Sequence, residues 1–251
     1  MIYWTNDNIS SARFGNHFYY ILQMYIRTKE SGILNKFIYR NQSYNSSFLI
    51  LGLLKYVEID SHDKISSKEI GYFQDINCHY TKQNVLDFIS ENIEPKLKLY
   101  DKSCEKDDVC CVHIRCGDYI RNRQNKRLYD IDRSKYLNNC IDLYDFKEYH
   151  IFSDDINFCK NNYDQIFKQK NKIVKYISND NNVLKDFISM IFYKNKIIWN
   201  STFSCWTAYI SNFLYGDDES IIMAPDFFFR NENDGKPIQY FDNWIQIESR
   251  L

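Results

Sequence analysis

Short apolar runs alternate with amphipathic stretches along the second half of the chain. The apolar runs, each of strand length, lie at 109–114, 150–152, 173–177, 197–199 and 220–223. Stretches with apolar residues three and four apart lie between them, at 134–144, 156–167, 183–193 and 201–213. Because strands that alternate with helices form parallel sheets covered on both faces, this half predicts an α/β domain of the nucleotide-binding type.

The first half shows a similar pattern with fewer elements. A helix is predicted over 16–30, where apolar side chains recur on one face, and Gly32 is the residue expected to end it. A second helix is predicted over 85–99, and Pro95 should end or kink it. Strands are predicted at 2–5 and 37–39, while residues 41–80 give no clear pattern.

The acidic, irregular stretch 102–107 is the expected boundary between two lobes. It divides the chain into an N-terminal lobe, residues 1–105, and a C-terminal lobe, residues 106–251.

The composition narrows the class of protein. Hydrophobic residues make up 44% of the chain and charged residues 26%, which is enough for a folded core. With 32 Lys and Arg against 33 Asp and Glu the net charge is -1, which argues against a nucleic-acid or anionic-membrane binder. No apolar run reaches the roughly 18 residues of a spanning helix, and residues 1–20 lack the pattern of a signal peptide. The eight cysteines form no C-x-x-C pair, so we expect reduced thiols in a cytoplasmic protein.

The candidate site lies at the ends of the predicted strands, because open parallel sheets bind ligands beyond the carboxyl ends of their strands. The run at 109–114 has His113 near its end and is followed by Arg115, Gly117 and Asp118. The planar guanidinium of Arg115 can donate two parallel charge-assisted hydrogen bonds to a phosphate. The alternative for the same residues is a surface ion pair between Arg115 and Asp118.

Two further strand ends carry polar residues, and each has two interpretations. The run at 197–199 is followed by Ser201, Thr202, Phe203 and Ser204. These residues either cap the next helix or hold a phosphate at its positively polarised N-terminus. Asp154 and Asp155 follow the strand at 150–152, where they can bind a ribose hydroxyl or a guanine edge, or cap the helix that follows.

Four of these stretches occur together, in this order, in one protein family. The chain resembles the α-1,2-fucosyltransferases of glycosyltransferase family 11. The family's H-x-R-R-G-D-Y motif corresponds to His113, Arg115, Gly117, Asp118 and Tyr119, with Cys116 in place of the second Arg. Its N-S-T-F-S segment is similar to residues 200–204, its S-D-D strand end to residues 153–155, and its G-x-L-G-N-Q loop to residues 12–17.

The resemblance implies an inverting, metal-independent transferase that needs no cofactor and moves fucose from GDP-fucose to a glycan hydroxyl. An α-1,2 linkage, often to galactose, is typical of the family. A GT-B-like fold is also implied, with two Rossmann-like lobes and a cleft between them. Arg115 would hold the β-phosphate, His113 would lie near the guanine, and Asp154 or Asp155 would bind the nucleoside. The remaining implied residues are Ser201, Thr202, Phe203 and Ser204 around the pyrophosphate, and Gly15, Asn16 and His17 on the cleft and acceptor side.

Two departures from the family pattern leave alternatives open. Cys116 removes a positive charge beside the phosphates, and His17 replaces a Gln, so another nucleotide sugar is a possible donor. A catalytically silent nucleotide- or glycan-binding module on the same fold is a further alternative. Asp118 is a candidate catalytic residue, although its position suits a buttress of Arg115 equally well.

Overall fold

The computed structural model describes residues 1–5, 14–39, 45–59, 67–69, 80–100, 108–178, 182–228 and 240–250. The chain forms two compact units, Met1–Asp101 and Lys102–Leu251. Each unit contains its own parallel sheet and its own helices, so the predicted α/β class is confirmed. The predicted boundary stretch 102–107 lies outside the described residues.

The first unit contains four short parallel strands. Its elements are β1 (Ile2–Thr5), α1 (Phe14–Ser31), β2 (Asn35–Tyr39), α2 (Asn45–Ile50), a 3₁₀ turn (Leu54–Tyr56), β3 (Val57–Ile59), β4 (Ser67–Glu69), α3 (Lys82–Phe88), a π-helical turn (Ile89–Ile93) and α4 (Glu94–Leu97). The strand order is β3-β2-β1-β4, and every pair is parallel. The predicted strands at 2–5 and 37–39 and the helix over 16–30 are confirmed.

The helix α1 provides much of the core of this unit. Phe18, Ile21 and Leu22 are completely buried, as their helical spacing predicts. Gly32 has a φ of 65°, and its N–H donates to the carbonyl of Thr28 at 3.0 Å. This left-handed conformation ends the helix at the glycine, as expected from the sequence.

The helix predicted over 85–99 is interrupted before its proline. It consists of α3, the π-helical turn Ile89–Ile93 and α4, and Pro95 lies in the first turn of α4. Proline lacks an N–H and its ring clashes with the carbonyl four residues earlier, so a wider turn before it relieves the conflict. The helical backbone therefore continues through a π-helical turn and past Pro95, and it ends at Leu97.

Gly15 and His17, which the resemblance implies on the cleft and acceptor side, are both buried residues of α1. Gly15 lies in the first turn of α1 without a positive φ, so it is not a turn glycine that brings the backbone to a ligand. His17 is completely buried, with its ring 5.9 Å from that of Phe48 and 6.3 Å from that of Phe37. Helical periodicity places His17 on the core face of α1, which the loop resemblance did not reveal. Residues 12 and 13 of that loop lie outside the described residues.

The second unit contains a six-stranded parallel sheet. Its elements are β5 (Val109–Ile114), α5 (Gly117–Arg121), α6 (Arg123–Tyr129), α7 (Arg133–Leu143), β6 (Glu148–Ser153), α8 (Ile156–Gln169), β7 (Ile173–Tyr176), α9 (Val183–Ile191), β8 (Asn195–Ile197), α10 (Thr202–Tyr215), β9 (Ile222–Pro225) and β10 (Ile245–Ile247). The five predicted strands and four predicted helices all occur. The sequence reasoning missed α5, α6 and β10, and it placed β8 two residues too late and β9 two residues too early.

The strand order of this sheet is β10-β9-β8-β5-β6-β7. The chain runs outward from β5 through β6 to β7, and then returns to β8 on the other side of β5. This is the order of a doubly wound dinucleotide-binding fold, whose ligands bind where the direction of winding reverses. The switch lies between β5 and β8.

The central strand β5 is buried along its whole length. Cys110, Val112 and Ile114 contribute to one core cluster, and Val109 and Cys111 to another on the opposite side. Alternation of side chains across a strand with two covered faces explains the continuous apolar run.

The cysteines of the described part of the chain behave as buried apolar residues. Cys110, Cys111, Cys116, Cys140, Cys159 and Cys205 are all free and buried, as expected for reduced thiols. The other two, Cys78 and Cys104, lie outside the described residues.

The displaced position of β8 has a packing explanation. Sheet pairing ends at Ile197, which lies level with Val112 and with Met223. Trp199 is nevertheless completely buried, 5.4 Å from the ring of Tyr136. The apolar run therefore continues for packing against α7 after the strand has ended.

Among the described helices none is both long and apolar enough to cross a membrane.

Candidate active site

Three strand ends of the second unit meet at one edge of its sheet. In β5, Ile114 lies level with Ser153 of β6, and Val112 lies level with Ile197 of β8. The segments that follow these strands are also in direct contact. The backbone N–H of Cys116 donates to Oδ1 of Asp154 at 2.8 Å, and the hydroxyl of Tyr119 donates to the carbonyl of Asn200 at 3.1 Å. The structure therefore brings together the three segments that the sequence singled out in this half.

Arg115 lies at the centre of this edge, between two carboxylates. Its Nη1 is 2.5 Å from Oδ2 of Asp154, and its Nη2 donates to Oδ1 of Asp118 at 2.6 Å. These contacts use two of its five N–H groups. The side chain is 13% exposed. Every buried nitrogen of this guanidinium has a hydrogen-bond partner within the described residues. The guanidinium is thus held between two carboxylates, and these contacts leave three of its N–H groups unused.

Asp118 is a neighbour of Arg115 whose two oxygens both accept hydrogen bonds. Its Oδ1 accepts from Arg115, and its Oδ2 accepts from Nδ2 of Asn125 in α6 at 2.9 Å. Of the two roles left open by the sequence, this geometry is that of a buttress for Arg115. Asn125 did not emerge from the sequence, because α6 is polar along most of its length and shows no apolar periodicity.

Asp154 and Asp155 have separate tasks. Asp155 caps α8, where its Oδ1 accepts from the N–H of Phe158 at 3.0 Å, and its Oδ2 is 2.8 Å from Arg121. The capping interpretation is therefore confirmed for Asp155. Asp154 links Arg115 to the main chain of the segment after β5.

Gly117 leaves the space that the contact between Arg115 and Asp154 occupies. A Cβ added to Gly117 would collide with Oδ2 of Asp154, and it would lie 3.3 Å from Cγ of Asp154 and 3.8 Å from Cζ of Arg115. The glycine has no positive φ, so its small size is what matters here. Any side chain at position 117 would displace the carboxylate that orients Arg115.

His113 is a buried, neutral imidazole at the end of β5. Burial lowers its pKa from 6.5 to about 4, and the nearby charge of Asp154 only partly opposes this shift. Its ring centre is 5.3 Å from that of Phe203 in the first turn of α10. Its Nδ1 is buried and has no hydrogen-bond partner in the described part of the chain. At neutral pH the side chain therefore offers an uncharged ring nitrogen beside an aromatic ring.

The start of α10 is the third component of the candidate site, beside Arg115 and His113. Ser201 occupies the N-cap position, but its side chain makes no capping hydrogen bond. The first N–H groups of a helix have no partner within the helix, and the helix dipole makes this end positive. Asn200 holds the preceding turn in place, because its Nδ2 donates to the carbonyls of Tyr129 and Phe228 at 2.8 and 3.1 Å.

Ser204 does not lie where the sequence reasoning placed it. It is completely buried, and its hydroxyl lies 3.1 Å from the carbonyl of Trp199 and 3.0 Å from that of Ser201. A position three residues after the N-cap turns its side chain back toward the preceding turn. Ser204 therefore supports the helix start, and Thr202 and Phe203 are the partly exposed residues of that turn.

Cys116, at the family position of a second arginine, faces the core. Its Sγ is 3.8 Å from Sγ of Cys159 and accepts from the hydroxyl of Ser153 at 3.6 Å. The hydrogen bond from Cys159 lowers the pKa of the Cys116 thiol, against the effect of burial. Within the described residues, no group of three or more His, Cys, Asp or Glu side chains is arranged to hold a metal ion.

Comparison with known proteins agrees with this geometry. Residues 58–248, more than half of the chain, match the family described as Glycosyl transferase family 11. The chain belongs to glycosyl transferase family 11. The resemblance seen in the motifs is thereby confirmed, and this family member carries its arginine, its histidine and its helix start at one sheet edge.

Two curated relatives are similar to this family 11 chain. The O-antigen biosynthesis glycosyltransferase WbnK of Escherichia coli is 28% identical over 211 residues, which is 77% of this chain and 66% of the relative. The alpha-1,2-colitosyltransferase of Escherichia coli is 30% identical over 141 residues, which is 55% of this chain and 47% of the relative. These matches span less than two thirds of each relative's length. No solved structure matches the chain.

Proposed function

We propose that this family 11 protein transfers fucose from GDP-fucose to a hydroxyl group of a glycan acceptor, with inversion and an α-1,2 linkage. One observation carries the proposal. Arg115, oriented by two carboxylates, lies at the same sheet edge as the start of α10, where the winding of the sheet reverses between β5 and β8. Such a switch point is where doubly wound sheets bind nucleotides.

The chemistry requires positive potential at this edge. When GDP leaves the sugar, negative charge builds on the β-phosphate while the sugar acquires oxocarbenium character. Fixed N–H donors aimed at that charge lower the barrier, because they bind the transition state more strongly than the substrate. Arg115 supplies a charged donor, and the N-terminus of α10 supplies backbone N–H groups. This pair performs the task for which other transferases use a divalent metal, so the proposed reaction is metal-independent.

His113 is assigned to the nucleobase. Its burial keeps it uncharged, so it recognises a base edge by hydrogen bonding without competing for the phosphates. Phe203 packs beside it and is assigned to the same, nucleobase-binding part of the site. Thr202 is assigned to the diphosphate because it lies in the partly exposed first turn of α10.

A colitose donor is the second candidate to compare with GDP-fucose, because one relative is named a colitosyltransferase. Colitose is the 3-deoxy counterpart of fucose, so two donors that carried the same nucleotide would differ by one hydroxyl group. A site that hydrogen-bonds that hydroxyl would reject colitose strongly, whereas a site that merely encloses it would discriminate weakly.

A donor screen tests the proposal. Release and transfer of sugar would be measured with GDP-fucose, GDP-colitose and UDP-galactose, each with and without galactose-terminated acceptors. We expect turnover with GDP-fucose and none with UDP-galactose. Turnover confined to GDP-colitose would replace the donor, and binding of GDP without turnover of any donor would support a silent binding module.

A further inference from the structure

The turn between α5 and α6 brings the side-chain amide of Asn125 into contact with Asp118. Asn122 joins the two helices in an extended conformation, with a φ of -95° and a ψ of 121°. Its side chain accepts from the N–H groups of Gln124 and Asn125 at 2.9 and 3.2 Å, which fixes the start of α6. The chain turns back at this corner, so that Nδ2 of Asn125 reaches Oδ2 of Asp118 at 2.9 Å.

The two carboxylates beside Arg115 are held in different ways. Asp154 accepts from the backbone N–H of Cys116, at the end of a strand in the middle of the sheet. Asp118 lies on the five-residue helix α5, and its second oxygen accepts from the side chain of Asn125. One carboxylate thus accepts a hydrogen bond from the main chain, whereas the other accepts one from a side-chain amide of the next helix.

The same two helices are joined at a second point. The rings of Tyr119 and Tyr129 stack with centres 4.4 Å apart and planes 9° apart, and Cζ of Arg115 lies 5.6 Å from the ring of Tyr119. The stack keeps α6 against α5, while the Asn125 hydrogen bond sets the direction of the Asp118 carboxylate. Two contacts therefore join α5 and α6 beside Arg115, the tyrosine stack and the Asn125 hydrogen bond.

We propose that Asn125 is a positioning residue, which orients the Arg115 guanidinium through Asp118 for the diphosphate of the donor. The inference rests on the proposed function for its consequence in turnover, but the orientation of Arg115 can be measured without any substrate. Asn125 itself contacts Asp118, so it acts on the reaction only through its neighbour.

The first test compares Asn125→Ala with Gln124→Ala. Gln124 is the exposed neighbour on α6, and only its backbone takes part in the cap, so its side-chain truncation is the matched control. The Nε–H signal of Arg115 would be followed by ¹⁵N NMR on the full chain and identified by its absence in Arg115→Lys. We expect a lower heteronuclear NOE for this signal in Asn125→Ala and no change in Gln124→Ala. An unchanged signal in both variants would overturn the proposal.

Turnover separates positioning from general structural support. If the wild type turns over GDP-fucose, we expect kcat to fall about tenfold in Asn125→Ala, with a smaller change in KM and an unchanged melting temperature. A fall in melting temperature with unchanged kcat would assign Asn125 to stability and overturn the proposal. If the wild type turns over no donor, the proposed function fails, and the NMR comparison still decides whether Asn125 orients Arg115.

The variant Asn125→Asp, whose side chain has the same size as asparagine, gives a test that is read from the pH dependence of kcat. Asn125→Asp places a second carboxylate against Asp118, within a group that also includes Arg115, Tyr119 and Asp154. Two adjacent carboxylates cannot both stay ionised without repulsion, so one of them takes up a proton as the pH falls. We expect kcat of Asn125→Asp to rise toward the wild-type value with falling pH. A pH profile parallel to that of the wild type would overturn the proposal.

Discussion

Replacing Gly117 by Ala tests whether the carboxylate beside Arg115 matters for catalysis. The new Cβ would collide with Oδ2 of Asp154, which is held between Arg115 and the N–H of Cys116. Asp154 cannot rotate away without losing at least one of these two contacts. The substitution therefore acts on the orientation of Arg115 although it leaves every charged side chain in place.

The size of the effect follows from the contacts at risk. Hydrogen bonds to charged groups contribute about 1.5–3 kcal/mol each. If the loss of the contact between Asp154 and Arg115 is expressed fully in the transition state, turnover falls about 10- to 100-fold. The fold should be retained, because Gly117 has no positive φ and the backbone conformation is one that alanine adopts without strain.

The assay pairs donor turnover with thermal unfolding, and Gly32→Ala is the control. Gly32 has a φ of 65°, and a Cβ there would meet no atom within 4 Å. Alanine in this conformation is strained by about 1–2 kcal/mol, so this variant should melt at a lower temperature with unchanged turnover. The two glycine variants are expected to behave in opposite ways.

Normal turnover in Gly117→Ala, with the fold retained, would refute the reasoning. It would show that Arg115 works without the Asp154 contact. A large loss of stability in the same variant would instead show that the collision disturbs the fold, and the orientation argument would lose its support.

Three further predictions concern the same site. Arg115→Ala should lower donor turnover at least 100-fold with the fold retained, and turnover within a few-fold of wild type would remove Arg115 from its proposed role. Turnover should persist in excess chelator, whereas a loss that manganese restores would contradict a metal-independent reaction. Because His113 has a folded pKa of about 4 against 6.5 when exposed, its contribution to stability is complete above pH 6.5 and falls by about 3 kcal/mol toward pH 4. In His113→Gln this part of the pH dependence of unfolding should disappear, and an unchanged slope would contradict the assignment.

The elements that the sequence predicted well are those with strong apolar periodicity. The strand β5 and the helices α1, α7, α8 and α10 each bury a continuous run or a clear face, and their positions were predicted within about two residues. The missed helices α5 and α6 are short and polar, and they are fixed by the Asn122 cap and by contacts with the site. Their existence depends on neighbours that no local pattern reveals.

The candidate site divides in a similar way. Arg115 and His113 were predicted because one directly follows an apolar strand and the other lies at its end, where a parallel sheet binds ligands. Ser204 and His17 were placed at ligand-facing positions from motif similarity, and both are completely buried. A motif conveys which residues recur together, whereas the direction of each side chain depends on the turn of helix that carries it.

The amino-acid sequence by itself determined the α/β class, the strand ends that carry polar chemistry and the family resemblance, because these depend on periodicity and on residues close together along the chain. Only the tertiary structure decided that Arg115 is held between Asp118 and Asp154, that Asp155 caps a helix and that Asn125 takes part. Arg115 and Asp118 are only three residues apart in the sequence, but the geometry of their contact still depends on the folded sheet. The contacts between segments that follow different strands depend on how the sheet aligns parts of the chain that are distant in sequence. Strand register sets which side chains meet at the sheet edge, and register is a property of the packed sheet.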